Sequence, residues 1–378
     1  MIYLDNAATT KLDKGALSRM MPYLGEWFGN ASAAYSLGAG SRAAIQEARE
    51  KIAGILGASP EEIFFTSGGS ESDNWALHSV CAGGRKPHIL ISGIEHPAVF
   101  ETSRNLMKEG YAEVTFVPPD SDGFVDPERI RASIRPGTAL VSVMYANNEI
   151  GTIQNIREIG KIAHENGALM HTDAVQAFAH IPIDVNQEEI DLLSASGHKF
   201  NGPKGVGFLY VRKGLQIEPF IAGGGQEYGK RSGTENVPGI VGMGEAAAKS
   251  GQYMANRMKE EGRLRDRLLT GIRDRIPDIS VNGSMERRLP NNLNVTFPDV
   301  DAEELLLLLN RKGIFASAGS ACQAGSLEPS RVLLAIGCSR KEAQESVRFT
   351  VSWENTEEEI DEAAEQIGIA VERLREYA

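Results

Sequence analysis

Thr138-Ala139-Leu140-Val141-Ser142-Val143-Met144, then Asn155 with Ile156, Ile159 and Ile162, then Gly167 and Ala168-Leu169-Met170-His171, decide the fold. The first run is apolar, bounded by polar residues, and of strand length. The isoleucines recur at helical spacing, Asn155 stands where a cap belongs, and Gly167 supplies the stop. A further short apolar run closes the unit. The same alternation extends outward on both sides. Ile63-Phe64-Phe65-Thr66, His88–Ser92, Glu113–Val117, 191–194 and 206–210 read as strands, and a helical stretch runs from Ser70 through Trp75, Leu77 and Val80. Short apolar strands separated by amphipathic helices indicate a largely parallel sheet covered on both faces, an α/β fold.

The pattern changes near Pro238. A long, polar-rich helical region runs to about Ile276 with mixed charges on its faces. Beyond it Leu293, Val295 and Phe297 alternate with Asn294 and Thr296, the signature of a half-buried antiparallel strand. Helices are expected over 302–310 and 329–336 and a strand over 346–351. The last helix opens on Thr356-x-x-Glu359, a capping box, with Ile360, Ile367, Val371 and Leu374 on one side. This part reads as a smaller α+β domain. The expected division is a large domain over 15–255 and a small one formed by 1–14 and 256–378.

The chain has 378 residues, 42% of them hydrophobic and 24% charged, as in an ordinary globular enzyme of two domains. A formal net charge of −12 argues against direct binding of nucleic acid, which needs clustered Lys and Arg. No apolar run approaches the ~18 residues of a membrane span. The opening Met1-Ile2-Tyr3-Leu4-Asp5 has neither the basic nor the apolar region of a secretory signal. Three cysteines, widely spaced, suggest neither a disulfide framework nor a zinc site. A cytoplasmic, reducing compartment is expected.

In open α/β sheets ligands bind beyond the carboxyl ends of the strands. Ser67-Gly68-Gly69-Ser70 follows one strand as a glycine-rich turn into a helix, whose free N–H groups suit a phosphate, although such turns also merely reverse a chain. Other strand ends lead to His96, to Asn147-Asn148-Glu149, to Asp173 with Gln176, and to Ser196-Gly197-His198-Lys199. Any one of these alone reads as a solvated loop; together they point to one crevice. Lys199 has the position of an amine held in a cleft, where burial and a positive neighbour make it a nucleophile toward an aldehyde. A carboxylate such as Asp173 keeps a pyridine nitrogen protonated and the ring an electron sink. One lysine, one strand-end aspartate and one phosphate turn are the minimum equipment of a pyridoxal-phosphate site.

At these residues the chain resembles the cysteine desulfurases. The stretches that carry the resemblance are Tyr3-Leu4-Asp5-Asn6-Ala7-Ala8-Thr9-Thr10, Phe65-Thr66-Ser67-Gly68, Glu95-His96-Pro97, Ala146-Asn147-Asn148-Glu149-Ile150-Gly151, His171-Thr172-Asp173-Ala174-Val175-Gln176, Ser196-Gly197-His198-Lys199, Arg231-Ser232-Gly233-Thr234-Glu235-Asn236 and Gly319-Ser320-Ala321-Cys322. They keep the family's order and span nearly the whole chain, and several are shared with other class V aminotransferase-like enzymes. The resemblance implies fold type I of the pyridoxal-phosphate enzymes, a mainly parallel seven-stranded sheet in the large domain, and a homodimer with active sites near the subunit interface. It implies that Lys199 is the Schiff-base lysine, Asp173 the partner of the pyridine nitrogen, Gln176 the donor to the phenolic oxygen, and His96 the histidine stacked on the ring. Gly69, Ser70, Ser196 and His198 match the phosphate cradle, with Thr234 supplied by the other subunit. Asn148 and Arg348 match the groups that fix the carboxylate of L-cysteine, for which the planar guanidinium fork is suited.

Cys322 separates this family from its relatives. It lies among small residues, Ser317-Ala318-Gly319-Ser320-Ala321-Cys322-Gln323-Ala324-Gly325-Ser326, in a stretch without amphipathic period. The resemblance implies that its thiol takes the sulfur as a persulfide and passes it to an acceptor such as an iron–sulfur scaffold or a tRNA-thiolation protein. Cys81 and Cys338 read as ordinary small hydrophobes. Three departures from the family pattern stand out. Gly69-Ser70 replaces the common Ala-Thr, Tyr228 a usual arginine, and Val351-Ser352-Trp353-Glu354-Asn355 the common Leu-Gly-Arg-Phe. Competing readings are another class V activity, such as selenocysteine lyase, kynureninase or aminotransferase, and a cofactor-binding scaffold without turnover.

Overall fold

The computed structural model describes residues 1–84, 86–319 and 328–376. β1 (Ile2–Tyr3) precedes α1 (Lys14–Leu24), whose Asp13 cap accepts from the N–H groups of Gly15 and Ala16, and α2 (Ser36–Leu56), which Gly57 ends in the left-handed conformation. Then come β2 (Ile63–Thr66), α3 (Gly69–Ser79), β3 (His88–Ser92), α4 (Pro97–Lys108), β4 (Glu113–Val117) and α5 (Pro127–Ser133). β5 (Thr138–Ser142), α6 (Ile156–Glu165), β6 (Leu169–Asp173), β7 (Leu192–Ser196) and β8 (Gly207–Val211) complete this half. On α6, Ile159 and Ile162 are fully buried, each contributing about 1.5–3 kcal/mol by leaving water.

These strands build one seven-stranded sheet in the order β2-β8-β7-β6-β5-β3-β4. β3 to β7 run parallel to their neighbours among themselves, and β8 is antiparallel to both β2 and β7. The expected largely parallel sheet is present, with β8 as its exception. Residues 197–206 between β7 and β8 are too few for the crossover that a parallel return requires. β2, β3, β7 and β8 are buried along their whole length, as in a sheet covered on both faces.

α7 (Val237–Arg275) is a single helix of 39 residues. Its first half buries Ile240, Met243 and Ala247 in the core beside the large sheet. Its second half buries Leu264, Leu268 and Ile272 in another core, with Leu293, Val295 and Phe349. That core belongs to β9 (Ser280–Val281), β10 (Asn292–Thr296), α8 (Ala302–Arg311), β11 (Ile314–Phe315), β12 (Ser346–Thr350) and α11 (Glu357–Glu376), whereas α9 (Arg331–Ala335) and α10 (Arg340–Gln344) bury Val332, Leu333 and Ala343 in a separate cluster with Ile94, Met144 and Ile150. β12, β10 and β9 form an antiparallel sheet, and β1 pairs parallel with β11.

Three local expectations need correction. β10 is buried on both faces, not half-buried. Its polar side is covered because the Asn282 amide donates to Asn294 Oδ1 at 2.8 Å, Thr296 Oγ1 at 2.9 Å and Ser346 Oγ at 3.1 Å. A satisfied polar cluster can be buried where the alternating pattern alone suggested solvent. The helix expected over 329–336 starts only at Arg331, with Ser330 as its cap, and α10, capped by Ser339, was not expected. The last helix has its capping box as read, Glu359 N–H donating to Thr356 Oγ1 at 3.2 Å.

Residues 5–10 cross from the small sheet to the large one. Asp5 bridges to Thr350, Asn6 Nδ2 donates to Thr350 O at 2.8 Å, and Thr10 N–H donates to His198 O at 2.9 Å.

Candidate active site

A cavity of about 180 Å³ opens at the carboxyl ends of β2, β3, β5, β6 and β7. Gly69 and Ser70 enter it from the start of α3, His96 from the cap of α4, Asn148 from the turn after β5, Asp173 and Gln176 from the end of β6, and Ser196, His198 and Lys199 from the end of β7. Arg348, on β12, closes the small-sheet side, and Ala7 and Ala8 the N-terminal side. A larger groove, about 860 Å³, runs past Gly54, Tyr145, Glu188 and Arg287. It lacks such convergence of strand ends, so the smaller cavity is the better site. Thr234 lies elsewhere, lining a cavity with Phe65, Ser67 and Arg231. Cys322 lies outside the described residues.

Lys199 ends the turn after β7, and its Nζ donates to Ala7 O at 2.6 Å and Ala8 O at 2.9 Å. Gln176 Nε2 donates to the same Ala7 carbonyl at 2.9 Å. The backbone of residues 7 and 8 therefore fixes where the amine points. Nothing in the composition of that segment announced it.

Asp173 is buried and accepts from Val175 N–H at 2.9 Å. Burial pushes its pKa up, while His96, that backbone donor and Lys199 pull it down. His96 Nδ1 accepts from Ala98 N–H at 3.1 Å, so the neutral ring carries its proton on Nε2. Burial holds the imidazole below its usual range, opposed by Asp173. His198 Nδ1 meets Thr9 Oγ1 at 3.1 Å, and its pKa falls to about 4 through burial and the Lys199 and Lys204 charges. Both histidines are thus neutral hydrogen-bonding groups at neutral pH.

Arg348 is 1% exposed. Its Nη2 pairs with Asp5 Oδ1 at 2.7 Å and its Nη1 donates to Asn148 O at 2.9 Å. Its Nε is buried with no hydrogen-bond partner among the described residues. Asp5 sets the fork and leaves that edge for another acceptor.

Asp73, Glu95 and Arg331 were given no role from the sequence. Asp73 lines the cavity one helical turn beyond Gly69, a spacing that places both on one face of α3. Glu95, fully buried with Ser92 Oγ and Met144 N–H donating to it, has its pKa raised by burial to about 8. Arg331 donates to the carbonyls of Gly93 and Glu95 and stacks 3.8 Å from the Phe100 ring centroid. Tyr228, at φ 57°, packs edge-on to Phe64 and beside Arg49. Trp353 lies 4.8 Å below the Arg257 guanidinium. Both aromatic departures thus pair with arginines instead of supplying one.

The family model "Aminotransferase class-V" matches residues 2–363. The chain is 50% identical over 376 residues to cysteine desulfurase IscS of Methanosarcina thermophila, covering 99% of this chain and 93% of that one. This chain belongs to the class V aminotransferase family, on its cysteine desulfurase branch. A cysteine desulfurase of Nostoc sp. is 46% identical over 99% of this chain and 94% of its own length. Among solved structures, a NifS-like protein superposes with a TM-score of 0.92 at 40% identity, over 98% of this chain and 99% of that one. A structure of SspA in complex with cysteine gives 0.84 at 38% identity, over 93% and 99%.

Class V enzymes of this branch depend on pyridoxal phosphate. The donor set of the cavity fits that group. A fully buried carboxylate at a strand end is stabilised as an anion by a cation, and a protonated pyridine nitrogen is one. The start of α3 offers N–H groups beside the Ser70 and Ser196 hydroxyls, the donor set a phosphate needs. Gly69 permits it: a Cβ there would come within 2.6 Å of Val175 Cγ2, beside Asp173.

Proposed function

We propose that the chain takes sulfur from L-cysteine, releases L-alanine, and carries the sulfur as a persulfide on Cys322 to an acceptor protein. The observation that carries this reading is the convergence of Lys199, Asp173 and Arg348 on one cavity at the strand ends. Asp173 pairs with the ring nitrogen of pyridoxal phosphate, Gln176 serves its phenolic oxygen, and Gly69, Ser70, Ser196 and His198 hold the phosphate. Bound there, the cofactor supplies an electron sink for the bonds at the substrate Cα and Cβ.

The chain's own residues do the rest. Arg348 and Asn148 hold the substrate carboxylate, and Lys199 Nζ takes up the Cα proton and returns it. His96, neutral and protonated on Nε2, moves protons beside the ring. The Cys322 thiolate attacks the substrate sulfur: the S–S bond forms, the Cβ–S bond breaks, and its electron pair passes to carbon, which is protonated to the methyl of alanine.

A homodimer with Thr234 completing the neighbouring site belongs to the same reading. Leu17, Met21, Leu24, Trp27, Phe28 and Tyr35 support it, since they are exposed within one short stretch. A cytoplasmic setting agrees with the unpaired Cys81 and Cys338. No described helix is long and apolar enough to cross a membrane. The division into a large domain over 15–255 and a small one over 1–14 and 256–378 is supported by the separate cores at the two ends of α7. Acceptors of the iron–sulfur scaffold or tRNA-thiolation kind are proposed from the family resemblance.

The test is to incubate the purified holoenzyme with L-cysteine and a thiol reductant and to quantify alanine and sulfide. Equal release of both is expected. 3-Mercaptopyruvate, with an amino group appearing on an added keto acid, points to the aminotransferase reading instead. The substrate clamp is checked in the same assay. Arg348→Ala is expected to raise KM with kcat far less affected, a loss of about 1.5–3 kcal/mol in kcat/KM. An unchanged KM removes Arg348 from the clamp.

A further inference from the structure

Asp73 is 1% exposed on α3 and shares the cavity with Lys199, His96 and Asp173. Its Oδ1 is buried without a hydrogen-bond partner among the described residues, 3.7 Å from His171 Nε2. Polar atoms of Asp73, His96 and Asp173 lie within 4.8 Å of one another. Two ionised carboxyls that close, both out of water, repel strongly, so one holds a proton.

The surroundings decide which. The Ser194 hydroxyl pulls the Asp73 pKa down. Ser194 Oγ meets His171 Nε2 at 3.2 Å, and His171 Nδ1 meets Ser142 Oγ at 2.8 Å. His171 is held neutral by burial, its pKa lowered to about 3, and brings no positive charge. Asp73 therefore faces one hydroxyl, a neutral imidazole and the carboxyls of Asp173 and Glu95. Burial first, then those two carboxyls, push it well above the usual carboxylate range. Asp173 has a backbone N–H and the bases His96 and Lys199 on its side.

We propose that Asp73 is a positioning residue held as the neutral acid, so that the cavity floor presents one carboxylate, Asp173, beside one carboxylic acid. One negative charge then matches one pyridinium charge, and the acid keeps Ser194 and His171 fixed beneath the end of β6. The proposal rests on the reading of this cavity as the cofactor site.

Holoenzymes of wild type, Asp73→Asn and Asp73→Ala test it. In the infrared difference between wild type and Asp73→Asn at neutral pH, the wild type is expected to show the C=O band of a protonated acid, absent from the variant. Asparagine has the shape and charge of the neutral acid. The pH midpoint of the cofactor's visible band is therefore expected to stay within about 0.3 unit. Asp73→Ala, which empties the space beside Ser194 and His171, is expected to bind the cofactor about tenfold more weakly, with Asp73→Asn restoring affinity. A lost carboxylate band, no acid band in the wild type, or a midpoint shift of about one unit or more in Asp73→Asn overturns the proposal. Borohydride trapping of the cofactor on Lys199 in all three proteins separates that outcome from failure of the site assignment.

Discussion

Cys322→Ala holoenzyme is expected to keep its cofactor, its colour and its spectral response to cysteine, and to form no persulfide. Those retained steps depend on Lys199, Asp173 and Arg348, none of which the substitution touches. Alanine release should fall by at least about 10²-fold, as when a group that acts only in the transition state is removed. The other thiols cannot substitute. Cys81 is half-buried just after α3, with burial pushing its thiol up. Cys338 is half-buried between α9 and α10, its Sγ donating to Asn282 Oδ1 at 3.6 Å, and burial with Glu342 pushes its thiol up too. Thiols so placed give little thiolate at neutral pH. Mass spectrometry after incubation with cysteine should find the added sulfur, roughly 32 Da, on the peptide bearing Cys322. Wild-type alanine release by the variant, or sulfur on Cys81 or Cys338, ends the proposed mechanism.

The second large effect belongs to Lys199. Lys199→Ala protein is expected to lose the band near about 400 nm and the borohydride-reducible link to the cofactor. Turnover should fall by roughly 10⁴-fold, the upper range for removing a group that handles the proton in the transition state. Lys204 is the natural control, because it is exposed in the loop that follows. Lys204→Ala should leave spectrum and rate nearly unchanged. Cofactor trapped on Lys204 would move the chemistry out of the cavity that Asp173 and Arg348 share.

Much of this was legible in the residues. Strand length and apolar character located β2, β3 and β5 to β8, because strands buried on both faces have little other composition open to them, and the alternation of Glu113–Val117 located β4 at the edge. The capping box at Thr356 and the stop at Gly167 were readable because caps are local. β8 reversed direction for a reason that lies in the loop length rather than the strand. β10 was misjudged because Asn282, the residue that satisfies its polar face, lies ten positions upstream of Asn292, across a turn. At the site, strand ends announced His96, Asp173 and Lys199. What escaped were partners that work through backbone or distance. The Ala7 and Ala8 carbonyls are invisible to any side-chain pattern. Asp5 earns its place only by meeting Arg348, and Asp73 needed the helix phase of α3 to be read against the end of β6.

The course of residues 2–10 has a consequence for how the protein is made. These residues leave the ribosome well before Lys199, yet Ile2 and Tyr3 pair with Ile314 and Phe315, and Asp5 and Asn6 with Thr350 and Arg348. Their strand partners therefore leave the ribosome only after the whole large sheet has been made. Until then the carbonyls that aim Lys199 have nothing to hang from, although the large sheet and Lys199 itself have long been synthesised. Contacts of such long sequence separation form late and slowly. A chain that stops short of residue 314 thus presents the lysine without its ceiling, and the pocket is assembled only once residues 314–350 have been made.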